Sequence, residues 1–281
     1  MLGVLYVVAT PLGNLDDLSS RAQRILGEVD LIACEDTRHT RKLLNHFEIR
    51  TPTTSYHQHN EAAKTGELLT RLQEGRHIAL VSDAGTPLIS DPGYLLVSAC
   101  REEKIAVFPV PGPSAAVAAL SVSGLPADRS LFVGFLARRT APQKEQIQTL
   151  SHEESTLLIY LPPHGLVPSF KRIVKGLGDR RAFLAREMTK LHETHYFGQL
   201  KEILEAVAQE KPRGEYTLVI EGAPGRGPSV PSPINVAAYV RGLMEAAGLS
   251  QKEAIKVAAR ELGLPKREVY GEMVKADWLT G

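Results

Sequence analysis

The chain has little cysteine, no long apolar run and almost no net charge, and each shortage disfavours a class of protein. Its two cysteines, Cys34 and Cys100, stand in apolar runs, which is typical of buried thiols in a reducing compartment rather than of a disulfide framework. No apolar run reaches the length of a membrane span, and the amino terminus turns polar quickly, unlike a signal peptide. We therefore expect a cytoplasmic protein without a membrane partner.

Several motifs that would point to particular ligands are also missing. The formal net charge of +1 does not indicate a nucleic-acid-binding protein, but it does not exclude local basic patches. The phosphate-binding pattern GxxxxGK[ST] is absent, which excludes P-loop chemistry. Glycines at 221–228 follow a strand-like run but lead into prolines rather than a helix, which disfavours a dinucleotide site. His57 and His59 have no further Cys/His cluster with them, so we expect no metal.

What is present is an alternation of strand-like and helix-like segments. The strand-like runs LYVVAT, DLIACE, HIALVSD and IAVFPVP are continuously apolar, which is typical of strands covered on both faces in a parallel α/β sheet. A second series of strand-like runs begins after about residue 123. Its spacing is compatible with hairpins, so we expect a mixed sheet in this part of the chain. The pattern predicts two α/β domains, residues 1–118 and 119–224.

The carboxyl-terminal part differs in composition. Residues 223–233 are crowded with proline and glycine and lack periodicity, so we interpret them as a linker. Residues 234–281 then show three short helical patterns, and Ser250 with Glu253 forms a capping box at the start of the second. The prediction is a three-helix module that resembles a helix-turn-helix; a helical clamp packed on the body is the alternative.

Five strand-like runs end in loops rich in proline and glycine, at residues 11–14, 84–93, 111–114, 162–165 and 223–225. Carboxyl ends of parallel strands border the ligand crevice of open α/β sheets, so we expect these loops to line a cleft. Glycine lets backbone approach a ligand closely, and proline fixes the loop shape in advance. Simple capping of strands is the alternative. Basic side chains are absent from residues 84–93, which favours a ligand held by backbone and apolar contacts over a polyphosphate.

Seven blocks carry a family resemblance, in the order VVATPLGNLDDLSSRA, ACEDTRHTRKLL, SYHQHNE, SDAGTPLISDPG, VPGPSAAVAALSVSGLP, FVGFL and REMTKLHET. Together they resemble the tetrapyrrole methylase superfamily over about residues 3–222. Within it, they are similar to bacterial enzymes that methylate a cytidine ribose 2′-oxygen in 16S ribosomal RNA of the small subunit, near the decoding centre. The carboxyl-terminal helices match that group's added helical module. The resemblance implies two α/β domains with S-adenosylmethionine (SAM) folded in the cleft between them, and a homodimer.

The resemblance also implies which residues contact the cofactor. Thr86, Pro87 and Ile89 would lie against it, with Ser114, Ala115 and Leu161 from other loops. Asp83 and Gly85 belong to the same predicted set. The loop formed by Pro11, Leu12 and Gly13 belongs to that set too and would face the acceptor side.

Methyl transfer to a hydroxyl requires alignment of the acceptor oxygen and help with loss of its proton. Two charged clusters are candidates at the mouth of the cleft: Glu35, Asp36 and Arg38 after the second strand, and Arg186, Glu187 and Lys190 in the second half. For Asp36 the alternative is a helix N-cap, and for the second cluster it is a solvated group of ion pairs.

The leading hypothesis is thus a SAM-dependent ribosomal RNA methyltransferase. One alternative of the same fold methylates a small porphyrinoid, or a modified protein side chain as diphthine synthases do. Another is a non-catalytic RNA-binding or assembly factor. Candidate phosphate contacts are Arg138, Arg139, Lys144, Lys171, Arg172, Lys175, Arg180, Arg181, Arg260, Lys266 and Arg267, although such runs are usually solvated faces.

Overall fold

The computed structural model describes residues 1–224, 236–262 and 264–278. The chain divides into two compact units, Met1–Ala223 and Pro224–Gly281. The boundary expected at residue 118 stays a prediction. Residues 225–233 of the expected linker lie outside the described residues. None of the helices in the described ranges is both long and apolar enough to cross a membrane.

The first sheet of the larger unit is parallel throughout and has the strand order β3-β2-β4-β1-β5. Its elements are β1 (Val4–Val8), α1 (Ser20–Glu28), β2 (Leu31–Cys34), α2 (Thr37–His46), β3 (Thr53–Ser55), α3 (Glu61–Gln73), β4 (Ile78–Val81), α4 (Tyr94–Glu102) and β5 (Ala106–Val110). Every residue of β2 and β4 is buried, because apolar layers cover both faces of these central strands. The continuous apolar runs therefore predicted this sheet correctly; β3, which is short and polar, was not predicted.

The second sheet is mixed, with the order β6-β7-β10-β8-β9. Its elements are α5 (Ala115–Val122), β6 (Ser130–Phe135), α6 (Thr140–Thr149), β7 (Thr156–Leu161), α7 (Leu166–Leu177), β8 (Arg181–Arg186), β9 (Thr194–Gln199), α8 (Leu200–Ala208) and β10 (Tyr216–Ile220). Strands β6 and β7 are parallel, whereas β10 runs antiparallel to both of its neighbours, β7 and β8. The α/β class and the mixed second sheet are thus confirmed.

The direction of β10 corrects one expectation. Ile220, at its carboxyl end, pairs with Leu157 near the start of β7 and with Ala182 near the start of β8. The loop after β10 therefore lies at the edge of the sheet opposite to the carboxyl ends of β7 and β8. The expectation that this fifth proline- and glycine-rich loop borders the ligand cleft was wrong, because the rule that placed it there holds only for parallel strands.

The smaller unit contains α9 (Val236–Ala247), α10 (Gln251–Glu261) and α11 (Lys266–Trp278). Val240, Ala258, Val269 and Met273 are buried in a core of its own. The capping box at Ser250 is present, since the side chain of Glu253 accepts from the backbone N–H of Ser250 at 3.1 Å. Three helical patterns in the sequence therefore correspond to three helices.

Candidate active site

Two adjoining cavities lie at the carboxyl edge of the first sheet. The first cavity, of about 350 Å³, is bordered by the loops after β4 and β5 and by residues of β7 and β10. The second cavity, of about 470 Å³, is bordered by the loop after β1, by one face of α2 and by Lys190. Leu12, Asp83, Ala84 and Glu215 line both cavities, and we call these four residues the junction.

The loop after β4 has an unusual backbone. Gly85 has φ +80°, and the non-glycine residues Leu88 and Ser90 have φ +71° and +70°. Left-handed conformations of such residues cost energy and concentrate at ligand-binding sites, where surrounding structure holds them. The turns of this loop at Gly85 and at Leu88 to Ser90 therefore form a rigid wall of the first cavity.

Neighbouring loops hold this wall in place. Thr10 and Gly85 exchange backbone hydrogen bonds of 2.9 and 3.0 Å, which ties the loop after β1 to the loop after β4. The hydroxyl of Thr86 donates to the carbonyl of Pro113 at 3.0 Å, which ties in the loop after β5. A Cβ at Gly85 would lie 3.2 Å from the Leu12 side chain and at a φ of +80°, so any larger residue at this position is strained.

Most of the residues predicted to bind the cofactor line the first cavity, namely Leu12, Asp83, Gly85, Thr86, Ile89, Ser114, Ala115 and Leu161. Pro11 and Gly13 line the second cavity, and Pro87 lines neither; the acceptor-side position of the loop stays a prediction. The sequence prediction missed Ala84, Ser90, Asp91, Phe135, Tyr160, Pro162, Pro163, Glu215, Tyr216 and Thr217. Five of these stand in loops already singled out, so membership of those loops was the available signal: Ala84, Ser90, Asp91, Pro162 and Pro163.

The first cavity is acidic. Asp83, Asp91 and Glu215 line it, and Glu35 lies close enough to interact with Asp83 and Asp91. Burial, with the nearby charge of Glu35, raises the pKa of Asp91 to about 7, against an opposing hydrogen bond from Ser82. Burial and the charge of Asp83 likewise raise the pKa of Glu35. Carboxyls crowded in this way favour a ligand that brings positive charge.

Asp36 and Arg38 form a local pair at the start of α2. The Asp36 carboxylate accepts from the Arg38 backbone N–H at 2.8 Å and from its guanidinium at 2.9 Å. These bonds lower the pKa of Asp36 to about 2. The backbone N–H of Asp36 donates to the Asp83 carboxylate at 3.1 Å. Asp36 is thus an N-cap whose backbone orients a junction residue, and neither it nor Arg38 lines a cavity.

Lys190 is the residue of the second charged cluster that reaches the second cavity. Its ammonium donates to Glu187 at 2.8 Å and to Glu215 at 3.0 Å, and the Glu215 backbone N–H donates to Glu187 at 2.9 Å. Desolvation opposes the positive charge, but these two carboxylates outweigh it and raise the pKa of Lys190. Lys190 is therefore protonated at neutral pH.

Two glycines make room for this ion pair. A side chain at Gly13 would collide with the aliphatic part of Lys190, and one at Gly214, where φ is +78°, would collide with the carboxylate of Glu187. Glu187 itself has φ +53°. Close packing of two loops around a lysine and two carboxylates fixes the ammonium at the wall of the second cavity.

The remaining predicted residues take structural positions. Arg186 is buried and pairs with Glu210 at 2.6 Å. Glu187 pairs with Lys190, whereas Glu35 opposes ionisation of Asp91, and neither glutamate lines either cavity. Arg180, a candidate phosphate contact, is buried and donates to three backbone carbonyls, so that expectation was wrong. Within the described ranges, no group of three or more His, Cys, Asp or Glu side chains is arranged to hold a metal.

Solved structures with the same fold are methyltransferases of several kinds. A uroporphyrin-III-C-methyltransferase from Thermus thermophilus aligns with TM-score 0.57 at 22% identity, covering 78% of this chain and 94% of that one. A diphthine synthase aligns with TM-score 0.60 at 13% identity, covering 78% and 89%. At these identities, the likeness shows the fold alone.

Sequence relatives are more specific. Residues 4–204 match the family model of the Tetrapyrrole (Corrin/Porphyrin) Methylases. A protein of Synechocystis sp. named ribosomal RNA small subunit methyltransferase I is 48% identical over 271 residues, which cover 96% of each chain. The protein of that name from Escherichia coli O157:H7 is 45% identical over 271 residues, covering 95% of this chain and 93% of the relative. The chain therefore belongs to the family of tetrapyrrole methylases, together with these ribosomal RNA small subunit methyltransferase I relatives.

Proposed function

We propose that this protein uses S-adenosylmethionine to methylate the ribose 2′-oxygen of a cytidine in 16S ribosomal RNA of the small subunit, near the decoding centre. The observation that carries the proposal is that the two cavities share the junction residues, because a methyl transfer needs a donor and an acceptor side by side with the acceptor oxygen in line with the methyl carbon. Curated relatives named ribosomal RNA small subunit methyltransferase I, at 41–48% identity over nearly the whole chain, support the class of substrate.

The residues of the first cavity fit SAM. Its sulfonium and ammonium are cations, and Asp83, Asp91 and Glu215 face the space that they would occupy. Ile89 and Leu161 offer apolar surface for an adenosine, while no Lys or Arg lines this cavity. When bound, the cofactor supplies a methyl group activated by the positive charge on sulfur.

The chain's own residues would then align the acceptor and receive a proton. The transfer joins the acceptor oxygen to the methyl carbon, leaves the donor sulfur as a neutral thioether and releases the hydroxyl proton. Alignment alone can supply ~7–11 kcal/mol of the barrier, and a positioned base typically adds ~10²–10⁴-fold. We propose that Asp83 or Glu215 receives the proton, since these are the ionisable residues of the junction.

Lys190 has a different part in this proposal. A lysine whose pKa is raised by two carboxylates is a poor base at neutral pH. Its ammonium instead orients Glu215 and offers a positive charge where an alkoxide develops on the acceptor oxygen. Glu187 holds Lys190, while Asp36 and Arg38 hold the start of α2, and Glu35 adds negative charge behind Asp83 and Asp91.

We also propose a homodimer, as the family resemblance implies, and action in the cytoplasm, where its substrate would be. Phe108 on edge strand β5, Val117 and Val122 on α5, and Leu131 and Phe132 on edge strand β6 are exposed apolar side chains. Exposed apolar side chains on two edge strands and a helix suit contact with a second copy of the chain. Light scattering on Phe108→Glu and on the parent protein tests this, and a parent monomer at micromolar concentration would refute it.

The deciding experiment is mass-spectrometric mapping of ribose methylation. Purified protein, SAM and small ribosomal subunits lacking the modification are incubated, and the RNA is digested and sequenced by mass. We expect one new 2′-O-methylcytidine near the decoding centre, absent with Gly85→Val. Methylation of a base, of a protein or of a porphyrinoid instead would refute the proposal, and lack of SAM binding would favour a non-catalytic RNA-binding factor.

A further inference from the structure

One face of α2 forms a wall of the second cavity. His39, Lys42 and Leu43 recur at the three- and four-residue spacing that places side chains together on a helix, and all three line the cavity. Leu15 of the loop after β1 and Lys190 also line this cavity. The family motifs that carry the resemblance include this helix, but the set of predicted site residues contained none of its cavity-facing side chains.

The position of this cavity determines what it can hold. If SAM occupies the first cavity, a ligand of the second cavity meets it at the junction formed by Leu12, Asp83, Ala84 and Glu215. The second cavity is therefore a place from which an acceptor can approach the junction. A volume of about 470 Å³ is in the range of pockets for single small ligands and does not suit a duplex.

The chemistry of the lining narrows the class of ligand further. Leu15 and Leu43 are apolar and suit the face of a base or a sugar, whereas His39 and Lys42 are exposed and suit a phosphate at the rim. Proteins that read RNA locally commonly do so on nucleotides that are unstacked and splayed out of the strand. Apolar side chains for the base and a lysine near the rim for a phosphate are what such a nucleotide requires.

We propose that the second cavity holds one nucleotide turned out of the RNA strand, with its ribose at the junction, its base against Leu15 and Leu43, and an adjoining phosphate at Lys42. This inference rests on the proposed function and adds a binding site for the acceptor. It makes α2 a specificity element in addition to a support for Asp83.

A matched pair of charge deletions tests the phosphate contact. Lys42→Met removes the cation that lines the cavity. Arg41→Met removes the neighbouring cation, which does not line the cavity; its guanidinium donates to the hydroxyl of Thr53 over a distance of 3.1 Å. Affinity for 16S RNA is measured over a series of salt concentrations with S-adenosylhomocysteine present. We expect the slope of log affinity against log salt to become shallower by about 0.7 for Lys42→Met, the value for one single-strand phosphate, and to change less for Arg41→Met. Equal slopes for the two variants would overturn the assignment of Lys42.

A second pair tests occupancy of the pocket. Leu43→Trp narrows the second cavity, and Asn45→Trp adds the same ring on an exposed position of α2. We expect single-turnover methylation of small subunits to fall about 100-fold in Leu43→Trp, as for a misplaced acceptor, and to stay near the parent value in Asn45→Trp. The melting temperature and the SAM affinity of both variants are measured, so that an unfolded variant is recognised. If Leu43→Trp does not fold, the salt slopes of Lys42→Met and Arg41→Met decide the proposal.

The outcomes separate the two proposals. Parent-level methylation by a folded Leu43→Trp, or a loss of SAM affinity in it, would overturn the nucleotide pocket while leaving ribose methylation intact. Absence of ribose methylation by the parent protein would overturn the proposed function, and the salt slopes would still report whether RNA reaches Lys42.

Discussion

We predict that the buried carboxyl of Asp91 lowers the stability of the free protein and raises its affinity for SAM. Its pKa is raised from 3.8 to about 7, so the folded protein without a ligand resists ionisation of this carboxyl. At 1.36 kcal/mol per tenfold step, a rise of that size corresponds to roughly 4 kcal/mol. The side chain is partly exposed and water screens its neighbours, so we expect about half of that, ~2 kcal/mol. Asp91→Asn should therefore stabilise the free protein.

The sign and the pH window follow from proton linkage. Between about pH 4 and pH 7, the folded state keeps a proton on Asp91 that the unfolded state has lost, so this carboxyl lowers stability as pH rises through the window. The gain from Asp91→Asn should be small near pH 4 and complete near pH 8. For a unit of this length, ~2 kcal/mol corresponds to a rise in melting temperature of about 4–8 °C at pH 8.

Binding should move in the opposite direction. A cationic ligand in the first cavity favours the ionised carboxylate, so SAM affinity of the parent protein should rise between pH 6 and pH 8. Asp91→Asn should bind SAM more weakly at pH 8 and lose much of that pH dependence.

Calorimetry and thermal melts on the parent, Asp91→Asn and the exposed control Asp128→Asn measure both quantities. A lower melting temperature for Asp91→Asn at pH 8, or a stability change that is the same at pH 4 and pH 8, would refute the reasoning. Unchanged SAM affinity would show that the acidic lining does not contact the donor.

Three further predictions concern the cavities and the helical unit. Gly85→Val and Ala115→Trp should stay folded but lose SAM binding in calorimetry. Valine at position 85 places a branched side chain at φ +80° against Leu12, and tryptophan at position 115 fills the first cavity. Undiminished affinity in both variants would contradict the assignment of the first cavity to SAM. Truncation after Ser232 should leave SAM affinity near normal and weaken methylation of ribosomal RNA, whereas aggregation or lost SAM binding would favour a structural clamp. Lys190→Met should lower single-turnover methylation at least ~10²-fold with little change in RNA affinity, because it removes the positive charge beside Glu215. Asp36→Asn should cost less because its carboxylate caps α2, and parent-level turnover in Lys190→Met would contradict the part assigned to its ammonium.

Much of the cavity wall could be predicted from the sequence because it depends on rules that are local. Buried parallel strands appear as continuous apolar runs, and their carboxyl ends can be read off as the points where proline and glycine begin. The loops after β1, β4, β5 and β7 all reach a cavity for this reason. The contact between Asp36 and Arg38 could also be predicted, because an N-cap joins residues that are two positions apart. The structure has the N-cap that was given as the alternative for Asp36.

Glu215 shows what such rules leave out. It precedes β10, so a rule based on carboxyl ends assigns it to the far edge of the sheet. The reversed direction of β10 instead sets Tyr216 beside Leu161 and Arg186, at the carboxyl ends of β7 and β8, and so brings Glu215 to the junction. Strand direction in a mixed sheet depends on pairing between distant segments, which composition and periodicity do not encode.

Asp91 was overlooked for a related reason. In the sequence it stands before Pro92 and Gly93, where an aspartate is expected simply to begin a turn. Its raised pKa comes from burial and from Glu35, which is 56 positions earlier in the chain and follows a different strand. Carboxylates that follow neighbouring parallel strands are brought to one edge of the sheet, and there they are dehydrated together. An acidic residue after each of two adjacent buried strands is therefore a signal for a cation-binding cavity that a sequence can show, provided that the strand order is known.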